Sequence, residues 1–151
     1  PLSLNDAVLE AEAGAKLIDL DLWARERGHE LRLWPSTKRS ATIGGFVAGG
    51  GAGVGGLAHG TMRERGNLNG VRVATMQDPP VILDIEGDAA NPVNRTYGTT
   101  GVITRVRIPL APAQPWRDVA LAFPEFGQAL RFAWAFAHAD GIAKKMCAVF
   151  Q

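Results

Sequence analysis

Between Gly44 and Gly56 the chain carries eight glycines. Glycine reaches positive φ without strain and lets the main chain approach a neighbour closely. Successive amides in such a run form a concave site for anions. The chemistry these residues suit is therefore the holding of a polar, phosphate-bearing cofactor by main chain. The run also contains Ile43, Phe46, Val47, Val54 and Leu57 and almost no Ser, Glu or Lys. That makes it a packed loop rather than a polar, solvent-exposed linker.

A G-x-G-x-x-G match falls at Gly51, Gly53 and Gly56. The dinucleotide fingerprint needs a strand before it, a helix after it, and an acid about twenty residues on. Here Gly60 and Gly66 interrupt the segment where that helix would lie, and the first acid near that distance, Asp78, sits in the turn Gln77-Asp78-Pro79-Pro80. The match reads as accidental. No paired carboxylates, no His/Cys metal spacing and no Ser/His/Asp arrangement stand out elsewhere. His29 reads as a surface or capping residue, His138 as a helix-end residue, and Cys147 as a buried strand residue. A single cysteine excludes an intrachain disulfide and a multi-cysteine metal site.

The elements that must position the run are set by periodicity. Residues 8–13 alternate like a half-buried strand closed by Gly14. Residues 17–27 read as a short amphipathic helix with Gly28 at its C-terminal end. Residues 31–34 read as a second strand ended by Pro35. Beyond the glycines, residues 68–76 and 81–85 read as a hairpin around the Pro79-Pro80 turn, and residues 88–94 hold one helical turn. Tyr97 to Gly101 is a glycine turn leading into a strand with apolar residues at 102, 106, 108 and 110, and Pro109 marks a strand end or an edge. Residues 111–115 are a proline-rich linker. Residues 116–123 then read as a strand, 126–139 as a helix with Pro124 at its first turn, and 145–150 as a further strand. The Phe126, Leu130, Trp134 and Phe136 stripe reads as core.

Composition bounds the class. A length of 151 residues suits one domain, or one and a fraction. With 46% hydrophobic and 21% charged residues the chain reads as a globular, soluble protein. A net charge of +1 gives no electrostatic case for nucleic acid or an anionic membrane. No membrane span or signal peptide is visible, so the expected location is cytoplasmic. The sequence opens on Pro1 rather than methionine, so the natural start is expected upstream.

Thr42-Ile43-Gly44-Gly45, then Gly60, then residues 97–104 (Tyr-Gly-Thr-Thr-Gly-Val-Ile-Thr), then Pro109-Leu110-Ala111-Pro112 occur in the order and spacing of the FAD-linked oxidases. These are flavoproteins of the vanillyl-alcohol-oxidase and glycolate-oxidase-subunit type, with a PCMH-type FAD-binding domain. Residues 11–17 (Ala-Glu-Ala-Gly-Ala-Lys-Leu) and Pro35-Ser36 also resemble that family, and the likeness runs from about Val8 to the end. It implies an α+β fold. Residues 1–112 would form the second lobe of a two-lobed FAD-binding domain, a mixed or antiparallel sheet with flanking helices. Residues 113–151 would begin the α+β substrate or cap domain. The family's first lobe, with its glycine-rich pyrophosphate loop, has no counterpart here, so the expectation is a piece of a longer enzyme.

The resemblance also implies roles. Pro35, Ser36 and Thr37 would form a turn near the flavin. Thr42, Gly44 and Gly45 would lie along the isoalloxazine and pyrophosphate through backbone amides. Gly49 and Gly50 would form the next turn, where relatives often carry Asn or Ser. Gly60 would sit near the diphosphate or adenosine, and Gly98, Gly101, Val102 and Ile103 would line the adenine end. No catalytic residue and no metal ligand is implied. The implied activity is hydride transfer from a 2-hydroxy acid or related alcohol to FAD. Its partners would be a small-molecule substrate, an electron acceptor and a second copy of the chain. Two alternatives stay open: an enolpyruvyl-UDP-sugar reductase (UDP-N-acetylenolpyruvoylglucosamine reductase type) and a flavin-free assembly module of the same fold.

Overall fold

A computed structural model describes residues 3–151, with side chains from residue 6 onward. The expected start of the lobe at Pro1 lies outside the described residues. Six strands form one antiparallel sheet: β1 (Ser3–Asn5), β2 (Val8–Glu12), β3 (His29–Leu31), β4 (Gly70–Ala74), β5 (Ile82–Glu86) and β6 (Val102–Pro112). Their order is β1-β2-β6-β4-β5, with β3 pairing the far end of β6. Helices α1 (Leu17–Arg25) and α2 (Ile43–Gly49), the four-residue α3 (Gly56–His59) and a 3-10 helix (Gly87–Val93) complete the body, and α4 (Phe126–His138) comes after it. The architecture is α+β, a sheet with flanking helices.

Alternation along the strands decides which face is core. Leu9 and Ala11 of β2, Val71 and Val73 of β4, and Val106 and Ile108 of β6 point to one side and are buried with Leu17, Leu20, Ile43 and Val47 of the helices. The opposite side carries Glu10, Arg72, Asp84, Arg105 and Arg107 as an ion-paired ladder. In it Arg72 meets Asp84 at 2.8 Å, and Glu10 accepts from Arg105 at 3.0 Å and from Arg107 at 3.1 Å. Pairs this close to solvent contribute little stability; the apolar face supplies the driving force.

Five elements differ from the sequence reading. Pro109 is not at an edge, for β6 is the central strand, bonded to β2 on one side and to β4 and β3 on the other. The missing N–H causes no loss because Pro109 falls between the end of the β4 ladder at Arg107 and the start of the β3 ladder at Leu110. The strand expected over residues 31–34 is β3, which starts two residues earlier; Trp34 makes only an isolated bridge with Val54. Residues 116–123 and 145–150 form no strand, and Cys147 is half-buried outside any strand. The α4 stripe is not core either, because Phe126, Leu130, Phe132 and Trp134 are exposed. Pro124 precedes its N-cap, Glu125, rather than entering its first turn.

The attachment of residues 113–151 to the body is polar. The Glu30 side chain, 3% exposed, accepts hydrogen bonds from Arg25 (2.6 Å), from Trp116 Nε1 (2.8 Å) and from Lys145. Asp21 beside it accepts from Arg25 (3.0 Å), Lys38 (2.6 Å) and the Leu31 amide (2.9 Å). Burial pushes both carboxyls up, the largest single influence on each. The donors outweigh it and hold both below the usual carboxylate range: Lys145 and Trp116 on Glu30, and Lys38, the Leu31 amide and Arg25 on Asp21.

Asp21 and Glu30 therefore ionise more readily in the folded chain than unfolded, and they contribute stability that is present above the ordinary carboxylate value of about 4. That stability is lost as pH falls through their depressed folded values. Thermal melts should show the midpoint dropping steeply below about pH 4, and an Asp21→Asn variant should flatten that slope. Among glycines, Gly55 has φ +100 and a Cβ there would lie 1.8 Å from the Arg32 carbonyl, whereas Gly14 has open space around it. Urea titrations should find Gly55→Ala destabilised by more than about 1 kcal/mol and Gly14→Ala neutral or stabilised by about 0.4–1 kcal/mol.

Candidate functional site: a groove walled by bare main chain

The glycine run is a helix and a turn rather than a loop. Thr42 caps α2, its Oγ1 accepting from the Gly45 amide at 3.2 Å, and Gly50 closes the helix in the left-handed region at φ +60. Three of the seven residues of α2 are glycines, at 44, 45 and 49, and a glycine in a helix costs up to about 1 kcal/mol relative to alanine. Burial of Ile43, Phe46 and Val47 offsets that cost. Gly44 is obligatory for another reason: a Cβ there would stand 2.5 Å from Ala13 Cβ and 2.9 Å from the Ala13 carbonyl. The helix can lie on the end of β2 only because residue 44 has no side chain.

The first amides of α2 are already committed within the protein. Ile43 N–H donates to the Ala15 carbonyl and Gly44 N–H to the Ala13 carbonyl, each at 2.9 Å, while Gly45 N–H donates to Thr42. At the other end, Arg95 N–H donates to Val47 and Tyr97 N–H to Ala48. The turn that leads into β6 is thus docked on the last turn of α2, and Arg95 and Tyr97 hold positive φ there.

One face of α2, carrying Thr42, Gly45, Phe46 and Gly49, borders a groove of about 260 Å³. Its remaining walls are Pro35, Thr37, Ala41, Gly51 and Ala52. Apart from its chain neighbours and the backbone of α2 itself, nothing lies within 4 Å of where a Gly49 Cβ would be. The amides of Gly51 and Ala52 donate no hydrogen bond among the described residues. A second groove of about 450 Å³ is lined by Glu12, Ala13, Gly14, Arg72, Ile103, Thr104 and Arg105 and shares no wall with the first. Its arginines are spoken for. Arg72 donates to Asp84 through Nε and Nη2 and raises its own pKa by doing so, and the same hydrogen bond is the main cause holding Asp84 low. Arg105 is paired with Glu10.

The structure therefore brings together Pro35, Thr37, Thr42, Gly45 and Gly49 in one groove and puts Ile103 in the other. Ser36 is exposed in the 36–40 turn and lines neither. Gly44 serves the α2–β2 contact. Gly50 is closed by Arg95, whose Cβ would be 2.2 Å from an added Cβ. Gly60 abuts the Glu64 side chain, Gly101 is pressed on the Ala74 carbonyl, Gly98 turns the chain in the open, and Val102 is exposed. Sequence reading passed over Ala41, Phe46, Gly51 and Ala52 as groove walls. The signal available was spacing: Thr42, Gly45 and Gly49 recur at helical intervals, and a helix ending at Gly49 leaves the next two residues at its rim. His59 lines neither groove; burial, Arg32 and Lys145 push its pKa down.

Comparison with known proteins fits this geometry. The sequence matches the family described as FAD binding domain over residues 2–78, which include α2, every residue lining the smaller groove, and β4. No match was found among curated proteins. Among solved structures the fold is similar to that of an alkyldihydroxyacetonephosphate synthase, with a TM-score of 0.69 and 18% identity over 89% of this chain. This chain spans 26% of the length of that one. The family match covers more than half of the residues and takes in the glycine groove: the chain belongs to the FAD binding domain family, and its cofactor is FAD.

Proposed function

We propose that this chain is part of an FAD-dependent oxidoreductase, and that the groove between α2 and the 35–37 turn receives the flavin nucleotide. Under this reading residues 1–112 are the second lobe of the FAD-binding domain and residues 113–151 open the substrate domain. The observation that carries the reading is the pairing of bare helix surface at Gly45 and Gly49 with two unpaired amides at Gly51 and Ala52. Amides without a protein acceptor are suited to phosphate oxygens, and absent Cβ atoms admit a flat or extended ligand to van der Waals distance.

The amides of Ile43, Gly44 and Gly45 are occupied by Ala15, Ala13 and Thr42, so their part is to fix the wall rather than to touch the cofactor. Pro35 gives a rigid rim, Phe46 an apolar one, and Thr37 a hydroxyl. Ile103 and Thr104 line the second groove, and under this reading that groove would take the adenine end. Bound there, the flavin would take a hydride from a 2-hydroxy acid or related alcohol and pass the electrons to an acceptor. The protein's share is orientation and the exclusion of water from one face.

The full-length protein should purify yellow, and its flavin absorbance should bleach when a 2-hydroxy acid is added without oxygen. A colourless protein that takes up no FAD would favour the flavin-free assembly reading. Gly49→Ala separates fold from site. The helix gains up to about 1 kcal/mol in propensity, so melting should not fall. The added methyl crowds the groove at a cost of about 1–3 kcal/mol, about five- to hundredfold in FAD affinity by fluorescence titration. An unchanged affinity contradicts the assignment of this groove.

A further inference from the structure

We propose that Lys145 is a positioning residue for the glycine groove: its side chain latches residues 113–151 onto Glu30, and its main chain holds the groove's outer wall. The inference rests on the reading of that groove as the cofactor site only where cofactor affinity is concerned. The latch has three parts. Lys145 Nζ donates to the Glu30 carboxylate and to the Leu31 carbonyl (3.3 Å). Its ammonium lies 4.0 Å from the Trp34 ring centroid and 5.3 Å from that of Trp116. Its carbonyl accepts from the Gly55 amide at 2.8 Å.

Those contacts reach the groove in one or two residues. Trp34 and Val54 exchange both backbone hydrogen bonds, at 2.9 and 3.2 Å. Pro35, next to Trp34, and Ala52, two residues before Val54, face each other as groove walls. Gly55 is trapped between the Arg32 carbonyl and the Lys145 carbonyl. The Lys145 side chain is 10% exposed and Glu30 3%, so the pair cannot exchange freely with water; losing Glu30 would leave the Lys145 ammonium buried without its carboxylate, whereas losing Lys145 would leave Glu30 with Arg25 and Trp116. Among the described residues, the hydrogen bonds and ring contacts of Lys145 go to Glu30, Leu31, Trp34, Trp116 and Gly55, none of them a groove wall; it acts through Gly55 and Trp34. The coupling is reciprocal by linkage: whatever orders the 51–55 wall must also shift residues 113–151 toward the attached state at equilibrium.

The test uses the full-length protein and amide hydrogen exchange, with and without FAD. In the FAD-free protein, Lys145→Met should speed exchange about tenfold both in residues 113–147 and at Val54 and Gly55, and Lys145→Arg should restore most of the protection. Trp116→Phe, which removes one bond to Glu30 and leaves the charge pair intact, should give the same pattern more weakly. Without touching a groove residue, Lys145→Met should also weaken FAD about five- to tenfold, within the range usual for coupled sites. Added FAD should slow tryptic cleavage after Arg131 and Lys144 in wild type but not in Lys145→Met. Faster exchange in 113–147 with no change at Val54 and Gly55 would overturn the proposal. So would Lys145→Arg failing to rescue. If the wild type takes up no FAD, the cofactor reading fails by itself, and the exchange in FAD-free protein still decides the latch.

Discussion

Direct contact between main chains, with no Cβ between them, is the constraint on which the rest of this structure depends. Gly44 lets α2 lie on Ala13 at the end of β2; Gly53 and Gly55 let the returning chain lie on Trp34 and Arg32; Gly101 lets the entry to β6 lie on Ala74. At each point an added Cβ would come within 3 Å of a backbone oxygen. The three contacts fix helix, turn and central strand relative to one another. They also bear on the groove, because three of its walls, Pro35, Gly45 and Ala52, adjoin Trp34, Gly44 and Gly53. Interiors packed at this density do not yield to a methyl without moving a neighbour.

Much of the fold was legible because it rests on local signals. The alternation in 8–12, the helix from Leu17, the hairpin around Pro79-Pro80 and the helical period after Phe126 each reflect one face seeking burial or a turn residue supplying a dihedral angle. The hidden parts depended on partners far along the chain. Pro109 reads as an edge residue until one sees that β4 stops and β3 starts around it. Trp116 reads as part of a strand, but its indole N–H is used by Glu30, 86 residues earlier, and a single anchor of that kind leaves no periodicity. A helix in the glycine run contradicts propensity, and it exists because tertiary burial of Ile43 and Val47 overrides the intrinsic cost.

The site was half legible for a related reason. A glycine needed because the protein's own backbone passes close by is indistinguishable, in one sequence, from a glycine needed because a ligand does. Gly44, Gly50 and Gly101 belong to the first kind by their neighbours, whereas Gly49 has open space where a Cβ would be. The resemblance to FAD-linked oxidases named the cofactor, and the family match over residues 2–78 agrees. It could not sort these glycines, because sorting them requires knowing which amides are already occupied. The same accounting moves attention from the first turn of α2, whose donors are satisfied, to Gly51 and Ala52, whose donors are not.

That shift is central to how the groove would hold its cofactor, and backbone amide chemical shifts reveal it most directly. In a titration of the full-length protein with FAD followed by two-dimensional NMR, the largest perturbations should fall on the Gly49, Gly51 and Ala52 amides. Those of Gly44 and Gly101, buried in protein–protein contact, should move little. Large shifts at Gly44 and Gly101 with none at Gly51 and Ala52 would contradict it.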